Sequence, residues 1–535
     1  MTTDIYKKTI LNSLPRILSN CDRNKYSSSF GCFDRNFWHY KIIDIPSARL
    51  QEGVLTLALL YLDSENSFFQ KDYVKKLIEG GLNFWLKIQG KEGSFNEWYP
   101  HEKSFVATAF SSYAVSETLI LLSDMETKKE IIAGLKKAGD WLLGRRDNQA
   151  LNQNAGALAA LYNIFLLTGE EKYEKECQKL VEFFKKNQNE EGWFPEYGGA
   201  DIGYLSLTLD YMAKYYLKSK NRNVLPILEK GLDFLSNFIH PDGSAGGIYG
   251  SRSTSYIIPS GIEILANFSS LARMMSSVLQ ESIKNNCITH PEMMDDRYLI
   301  QNGYNYMEAS LQFKQRSSFN EEAAGNLPSF SFNDKHFPRA GFWIKSNPAF
   351  YCIINYKKGG AVYCYDRLKK SNIYNSGILL RRGEKSYSSS WISEQNKIIF
   401  SQDNKNILIK GRLQEAVGHR PTTFRFVVLR ILLGLGQFIP YFTVFMKSAL
   451  RNFLISRKTA SSFYFERSFH IDNNMLIKDR FPAGVFDKGY IGGIFEPAYT
   501  PSSRYFNNDF VNSPGKLMTE KELIRGEAEY SLRGF

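Results

Sequence analysis

Apolar positions in the first half of the chain follow two alternating helical patterns. In KEIIAGLKKAGDWLL (129–143) they recur at three- and four-residue spacing and leave a lysine-rich face, as in a helix with one side to solvent. In SFVATAFSSYAVSETLILLS (104–123) and DIGYLSLTLDYMAKYYLKS (201–219) they run nearly all round, so those helices must be covered on most sides. Alternation of the two predicts a double ring, with amphipathic helices outside and buried ones inside. The chain breaks at an acidic-Gly or Asp-Gly turn and an aromatic loop in GLNFWLKIQGKEGSFNEWYP (81–100), VEFFKKNQNEEGWFPEYGG (181–199) and GLDFLSNFIHPDGSAGGIYG (231–250). AGDWLLGRRDNQALNQNAGALAALY is a weaker copy. The turn glycines Gly93, Gly144, Gly192 and Gly243 stand 51, 48 and 51 residues apart, a period that marks a helical repeat array. From about residue 47 to 280 it predicts five or six hairpins, with turns gathered at one end of the ring where loops line a cleft.

Past residue 280 the period drops toward two. GFWIKSN (341–347), AFYCIINYK (349–357), AVYCYDR (361–367), SGILLRRG (376–383), KIIFSQD (397–403) and NILIKGRL (406–413) read as antiparallel strands, continued by FYFERSFHID (463–472) and NMLIKDRF (474–481). The expected fold class is α+β multidomain: an α/α-toroid over 1–285, a linker over 286–335, and an antiparallel β-sandwich-like domain over 336–535. One segment departs from this texture. Residues 416–465 hold no acidic residue but carry Arg420, Arg425, Arg430, Lys447, Arg451, Arg457 and Lys458, around the uncharged ILLGLGQFIPYFTVFM. That run is shorter than the ~20 residues a spanning helix needs. It predicts either peripheral membrane contact or a helical hairpin packed on the sheet with its arginines solvated.

Composition narrows the functional classes. With 535 residues the chain exceeds one core, and 43% hydrophobic against 23% charged residues describes a folded protein. The formal charge of +12 points to an anionic partner: an acidic polysaccharide, a glycolipid or a membrane surface. No helix-turn-helix, zinc-finger or RRM pattern supports nucleic acid. Six cysteines without CxxC spacing, and a beginning without an apolar signal region, predict a cytoplasmic protein with reduced thiols, peripheral on the inner membrane face if 416–465 is an anchor.

The Q-x-x-x-G turns with flanking aromatics, IQGKEGSF (88–95) and NQNEEGWF (187–194), resemble the repeat turns of squalene cyclases and protein prenyltransferases. The order of toroid then sheet resembles the heparinase II/III-like and alginate-lyase-like polysaccharide lyases. This resemblance implies β-elimination, in which an Asn masks the uronate carboxylate, a His or Tyr takes the C5 proton and a Tyr protonates the leaving oxygen. NQNAGALAAL resembles the family's Asn-bearing helix and so implies Asn154 as the masking residue, with Ala155 where the family often has His. EEGWFPEYGGADIGY resembles its Gly-x-x-x-Glu…Tyr loop, implying Tyr204 as acid/base, Glu196 beside it and Tyr197 as second choice.

Three polar-aromatic clusters add candidates. CFDRNFWHYKIIDIPSARLQE (32–52) offers Arg35 and Arg49 to grip an anionic sugar, Trp38 to stack on it and His39 as a base; the plainer reading is a surface loop pairing its own charges. NEWYPHEKS (96–104) places Glu97, Trp98 and His101 at a repeat turn, with His101 a second base or an ordinary polar contact. GSRSTSYIIPSG (250–261) supplies Arg252 and Tyr256 for substrate, or a loop ion pair. A DxDD motif is absent, which argues against a triterpene cyclase, and no GxSxG, P-loop, HExxH or GxGxxG motif appears. Spacing suggests no metal site and no cofactor. The favoured function is lyase action on an acidic polysaccharide or lipid-linked glycan. Alternatives are a non-catalytic glycan-binding or assembly factor in envelope polysaccharide biosynthesis, and a glycoside hydrolase using carboxylates among Asp34, Asp44, Glu97 and Glu196.

Overall fold

A computed structural model describes residues 4–532 except 126, 317–326, 404, 417–421, 437, 440–441, 443–444, 447–448, 450–459, 473, 496–503 and 507–514. Six inner helices, α3 (Gly53–Leu62), α5 (Phe105–Leu121), α7 (Asn152–Thr168), α9 (Ile202–Ser219), α11 (Pro259–Leu265) and α13 (Asp296–Gln315), each pack on the next, and α13 packs on α3. The ring therefore closes. Outside it lie α1 (Ile5–Asn20), α4 (Asp72–Lys87), α6 (Lys128–Leu142), α8 (Glu171–Asn187), α10 (Leu225–Ser236) and α12 (Ser270–Lys284), while the single turn α2 (Arg35–Trp38) sits on the rim.

The sixth hairpin joins the two ends of the array, α1 packing on α13. This corrects the expected linker at 286–335, which contains the ring-closing helix. Its sequence hid it. Arg297, Asn305 and Glu308 give α13 polar positions on its inward face, so it lacks the all-round apolar signature of α5 and α9. The ring axis is filled rather than open. Lys214 binds Asp210 at 2.7 Å, Glu308 at 2.6 Å and Asn305 at 2.6 Å, and the Tyr211 and Tyr304 hydroxyls share a 2.6 Å hydrogen bond.

The second half is two antiparallel sheets. The first has the order β1 (Lys335–Phe337), β2 (Phe342–Ser346), β3 (Phe350–Asn355), β4 (Ala361–Asp366), β5 (Ser371–Asn375). Its period-two alternation serves two cores at once. Tyr351, Ile353 and Tyr363 join the core of the toroid, whereas Phe350, Cys352, Ile354 and Val362 join the core shared with the second sheet. The sheet is thus the middle layer. Tyr351 donates to the Asn237 carbonyl at 2.5 Å, and Lys358 Nζ donates to the carbonyls of Ile248 and Gly250 at 2.7 Å each, bolting it to the loop before α11. The second sheet is built on β6 (Ile378–Arg382), β7 (Lys385–Ser388), β9 (Asn406–Ala416), β10 (Ala460–Ile471), β11 (Met475–Arg480) and β12 (Lys488–Ile491), with β8 (Lys397–Phe400) paired to β9. Between its layers the buried Arg467 binds Asp479 at 2.7 Å and the Gly360 carbonyl at 3.1 Å.

Two further expectations meet the structure here. Cys352 and Cys364 face each other across β3 and β4 and are disulfide-bonded, so the thiols are not all reduced. Of the predicted insertion 416–465, residues 417–421, 450–459 and several between them lie outside the described residues. What is described includes α14 (Thr423–Gly436), in which Leu433 and Gly436 are the buried residues. Among the described residues no helix is long and apolar enough to cross a membrane.

Candidate active site

The repeat turns place the site. In three of them the same pair of backbone bonds closes the loop: Gly90, Asn189 and His240 donate to Ser94, Trp193 and Ser244, and Gly93, Gly192 and Gly243 donate back. Gln89 and Gln188 then donate their amides both to their own turn and to the neighbouring outer helix, at Gly134 and Ile227. The glycine is obligatory at 192, where φ is +108° and a Cβ would lie 2.2 Å from the Lys230 carbonyl oxygen. Gly144, the weak copy, has open space around it and a different partner, Glu176. Each turn leads into an inner helix, so the inner N-termini, with their positive dipole ends, collect at one mouth.

At that mouth Asp201 is the organiser. It caps α9 by accepting from the Tyr204 amide at 3.3 Å, accepts from the Arg252 amide at 2.8 Å, and binds the Thr254 hydroxyl. Tyr204 and Arg252, remote in sequence, are thereby fixed on one carboxylate. Gly203 lets α9 approach the 254–256 loop, for a Cβ there would sit 2.6 Å from Thr254 Oγ1. The Arg252 guanidinium lies 4.6 Å from the Tyr197 ring and is buried, its Nε without a hydrogen-bond partner and the group without an ion pair among the described residues. Burial raises the Tyr204 phenol, against the pull of Arg252 and Arg504, so the group is neutral at ordinary pH. Tyr256 forms a buried floor with Tyr298 and Tyr505, at centroid distances of 5.6 and 6.1 Å.

The opposite wall is Trp98. Arg297 lies 4.0 Å and Arg504 5.7 Å from its ring, and Glu97 binds Arg297 at 3.4 Å. His101 shares this turn, with φ +60°, a strained conformation of the kind that collects at working sites.

The other sequence candidates are held elsewhere. Asn154 is fully buried behind its loop, accepting from the Asp147 amide at 3.0 Å and donating to the Asp147 carbonyl at 2.7 Å, so its amide is spent on the fold. Glu196 is also buried. Both its oxygens accept from Asn152 at 2.8 Å, and burial raises its carboxyl well above the ordinary range. Arg49 is ion-paired with buried Glu52 beneath the mouth. Arg35, Trp38 and His39 gather around the C-terminal end of α1, with Arg35 donating to the Ser19 carbonyl and Trp38 to that of Asn20. Arg297, Tyr298, Arg504 and Tyr505 are the residues that sequence reasoning missed. The first two lay in the expected linker and the others in the expected sheet domain. The one signal was Asp295-Asp296 ahead of Arg297, since Asp295 caps α13 by accepting from the Tyr298 amide at 2.6 Å.

A closed ring of six helical hairpins followed by antiparallel sheets gives the chain an α/α-toroid-plus-sheet fold like that of known polysaccharide lyases. Residues 47–261 match the family model of the ulvan lyase N-terminal domain. Among solved structures, a chondroitin AC lyase of Streptomyces coelicolor A3 in complex with chondroitin sulphate is similar at a TM-score of 0.57 and 10% identity, over 92% of this chain and 69% of that one. A Paenibacillus xanthan lyase is similar at 0.54 and 11%, over 92% of this chain and 46% of that one. The chain thus spans less than half the length of the xanthan lyase. No curated protein matches it by sequence.

Proposed function

We propose that the protein is a lyase that cleaves a uronate-bearing polysaccharide by β-elimination at the mouth of its toroid. The carrying observation is Arg252, a buried guanidinium without an ion pair among the described residues, fixed beside Tyr204 by Asp201. Burying a cation without an anion costs several kcal/mol, and a uronate carboxylate would remove that cost. Bidentate pairing there takes the masking role first expected of Asn154 and makes the neighbouring C5 proton more acidic. Tyr204, neutral at ordinary pH, hands its proton to the departing glycosidic oxygen. The C5–H electron pair becomes the C4=C5 double bond as the C4–O bond breaks, and His101 is the proposed base for the C5 proton. Trp98 offers a face for a sugar ring. A lipid-linked form of the same polymer fits this reading as well as a free one.

Two features weigh against the alternatives. A hydrolase needs two available carboxylates, yet Glu196 is satisfied by Asn152, Glu97 by Arg297 and Asp44 by Arg430, which leaves Asp34 without a second. A mere binding module has no need of a half-buried tyrosine beside a cation. Incubation with ulvan, xanthan, chondroitin sulphate and other uronate polymers, followed by absorbance of the unsaturated product, is the test. Tyr204→Phe is expected to lower kcat by about 10²–10⁴-fold. New reducing ends without unsaturation would select the hydrolase, and binding without turnover the assembly factor.

A further inference from the structure

We propose that α14, with the exposed apolar side chains beside it, is an interfacial anchor that seats the protein on a bilayer rich in anionic headgroups; this stands on residues outside the cleft and is independent of the lyase reading. Phe424 is 76% exposed, Ile431 55%, Leu435 64% and Phe438 80%. Phe426, Val427, Val428 and Leu432 are also exposed, so the apolar surface wraps most of the helix. Scattered apolar residues on a surface are ordinary, but a contiguous apolar helix left in water marks an interaction site. At 14 residues α14 is about 21 Å long, below the ~30 Å of a hydrocarbon core, so it would lie in the interface rather than cross it.

Charge chooses the occupant. From 416 to 465 there are seven Lys and Arg and no Asp or Glu. A second copy of the chain would oppose like charge to like, whereas anionic headgroups pair with it. Position is fixed by Arg430, which bridges to Asp44 at 3.0 Å. Asp44 lies in the rim loop that also exposes Tyr40 and Ile42 and leads to Ser47, whose hydroxyl accepts from Arg297 at 3.0 Å. The apolar patch and the candidate cleft are at the same end of the molecule, so seating α14 on lipid brings the mouth to chains held there.

Co-sedimentation of the full chain with vesicles of phosphatidylcholine, with and without phosphatidylglycerol, tests this. Binding is expected only to the anionic vesicles, and is expected to weaken between 0.1 and 1 M salt as the screening length falls from about 10 to 3 Å. Phe424→Asp/Ile431→Asp/Leu435→Asp is expected to reduce the bound fraction about tenfold or more while leaving turnover of a soluble uronate polymer at the parent level. Circular dichroism and the melting temperature would report a variant that had misfolded, and Arg425→Glu then supplies the same comparison without adding charge to the apolar face or breaking the Arg430–Asp44 bridge. Failure to bind either vesicle, equal binding by the variants, or a dimer that the substitutions dissociate would each overturn the anchor. A chain that binds vesicles yet cleaves no uronate polymer would sink the lyase reading alone.

Discussion

Tyr204 and Arg252 meet because two backbone amides share one carboxylate, Asp201, and this makes the site sensitive to shape as well as charge. Arg252→Lys keeps the charge but loses the planar fork and the stack on Tyr197, so kcat/KM is expected to fall by about 10²-fold, mostly in kcat. A fall confined to KM would mean that Arg252 only holds substrate. Glu52 carries a second, independent expectation. Burial lifts its carboxyl from 4.5 to about 7 despite the Arg49 guanidinium. Across that window the native state keeps a proton that the unfolded chain has shed, so the stability Glu52 contributes declines as pH rises. Glu52→Gln has no such decline, and its urea midpoint relative to the parent is expected to climb from about pH 4.5 to pH 7. Parallel midpoint curves would refute this. Residue chemistry was legible where a motif stood in a repeat turn: Glu97, Trp98, Tyr204, Arg252 and Tyr256 reach the mouth. It was illegible for Asn154, because sequence shows an amide's presence and not whether a nearby backbone has claimed it.

At the scale of elements, the alternation of striped and all-round apolar helices was enough to call for hairpins, and the turn glycines set their period. Their glycine requirement is unequal, and that is measurable. Gly192→Ala forces a Cβ against the Lys230 carbonyl and is expected to cost about 2–4 kcal/mol, whereas Gly144→Ala meets open space and should cost about 1 kcal/mol. Equal losses in denaturant midpoints would mean that turn closure is not what these glycines secure. The strands were legible through their period of two, but the layering was not. Nothing in FYCIIN says that Tyr351 faces helices while Cys352 faces a second sheet, since both neighbours are apolar. α13 was missed for the reverse reason, its axis-facing positions being polar in order to meet Lys214.

For the whole molecule, closure is the property that matters. α1 buries Tyr6, Ile10, Leu14 and Ile17, and the Tyr6 hydroxyl donates to Glu263 at 2.7 Å. Deleting residues 1–22 would uncover α13 and remove the Tyr6 hydrogen bond to Glu263, so cooperative melting and near-ultraviolet dichroism are expected to vanish. A truncated chain that still melts sharply would show that five hairpins suffice. Because the first helix is completed by the thirteenth, the ring also has a timetable. At roughly 5–20 residues per second, a ribosome takes about 15–60 s after making α1 to deliver its partner. Throughout that interval the nascent N-terminus holds out a greasy stripe with nothing to cover it. Synthesis of this protein should therefore lean on a holding chaperone until the last inner helix emerges.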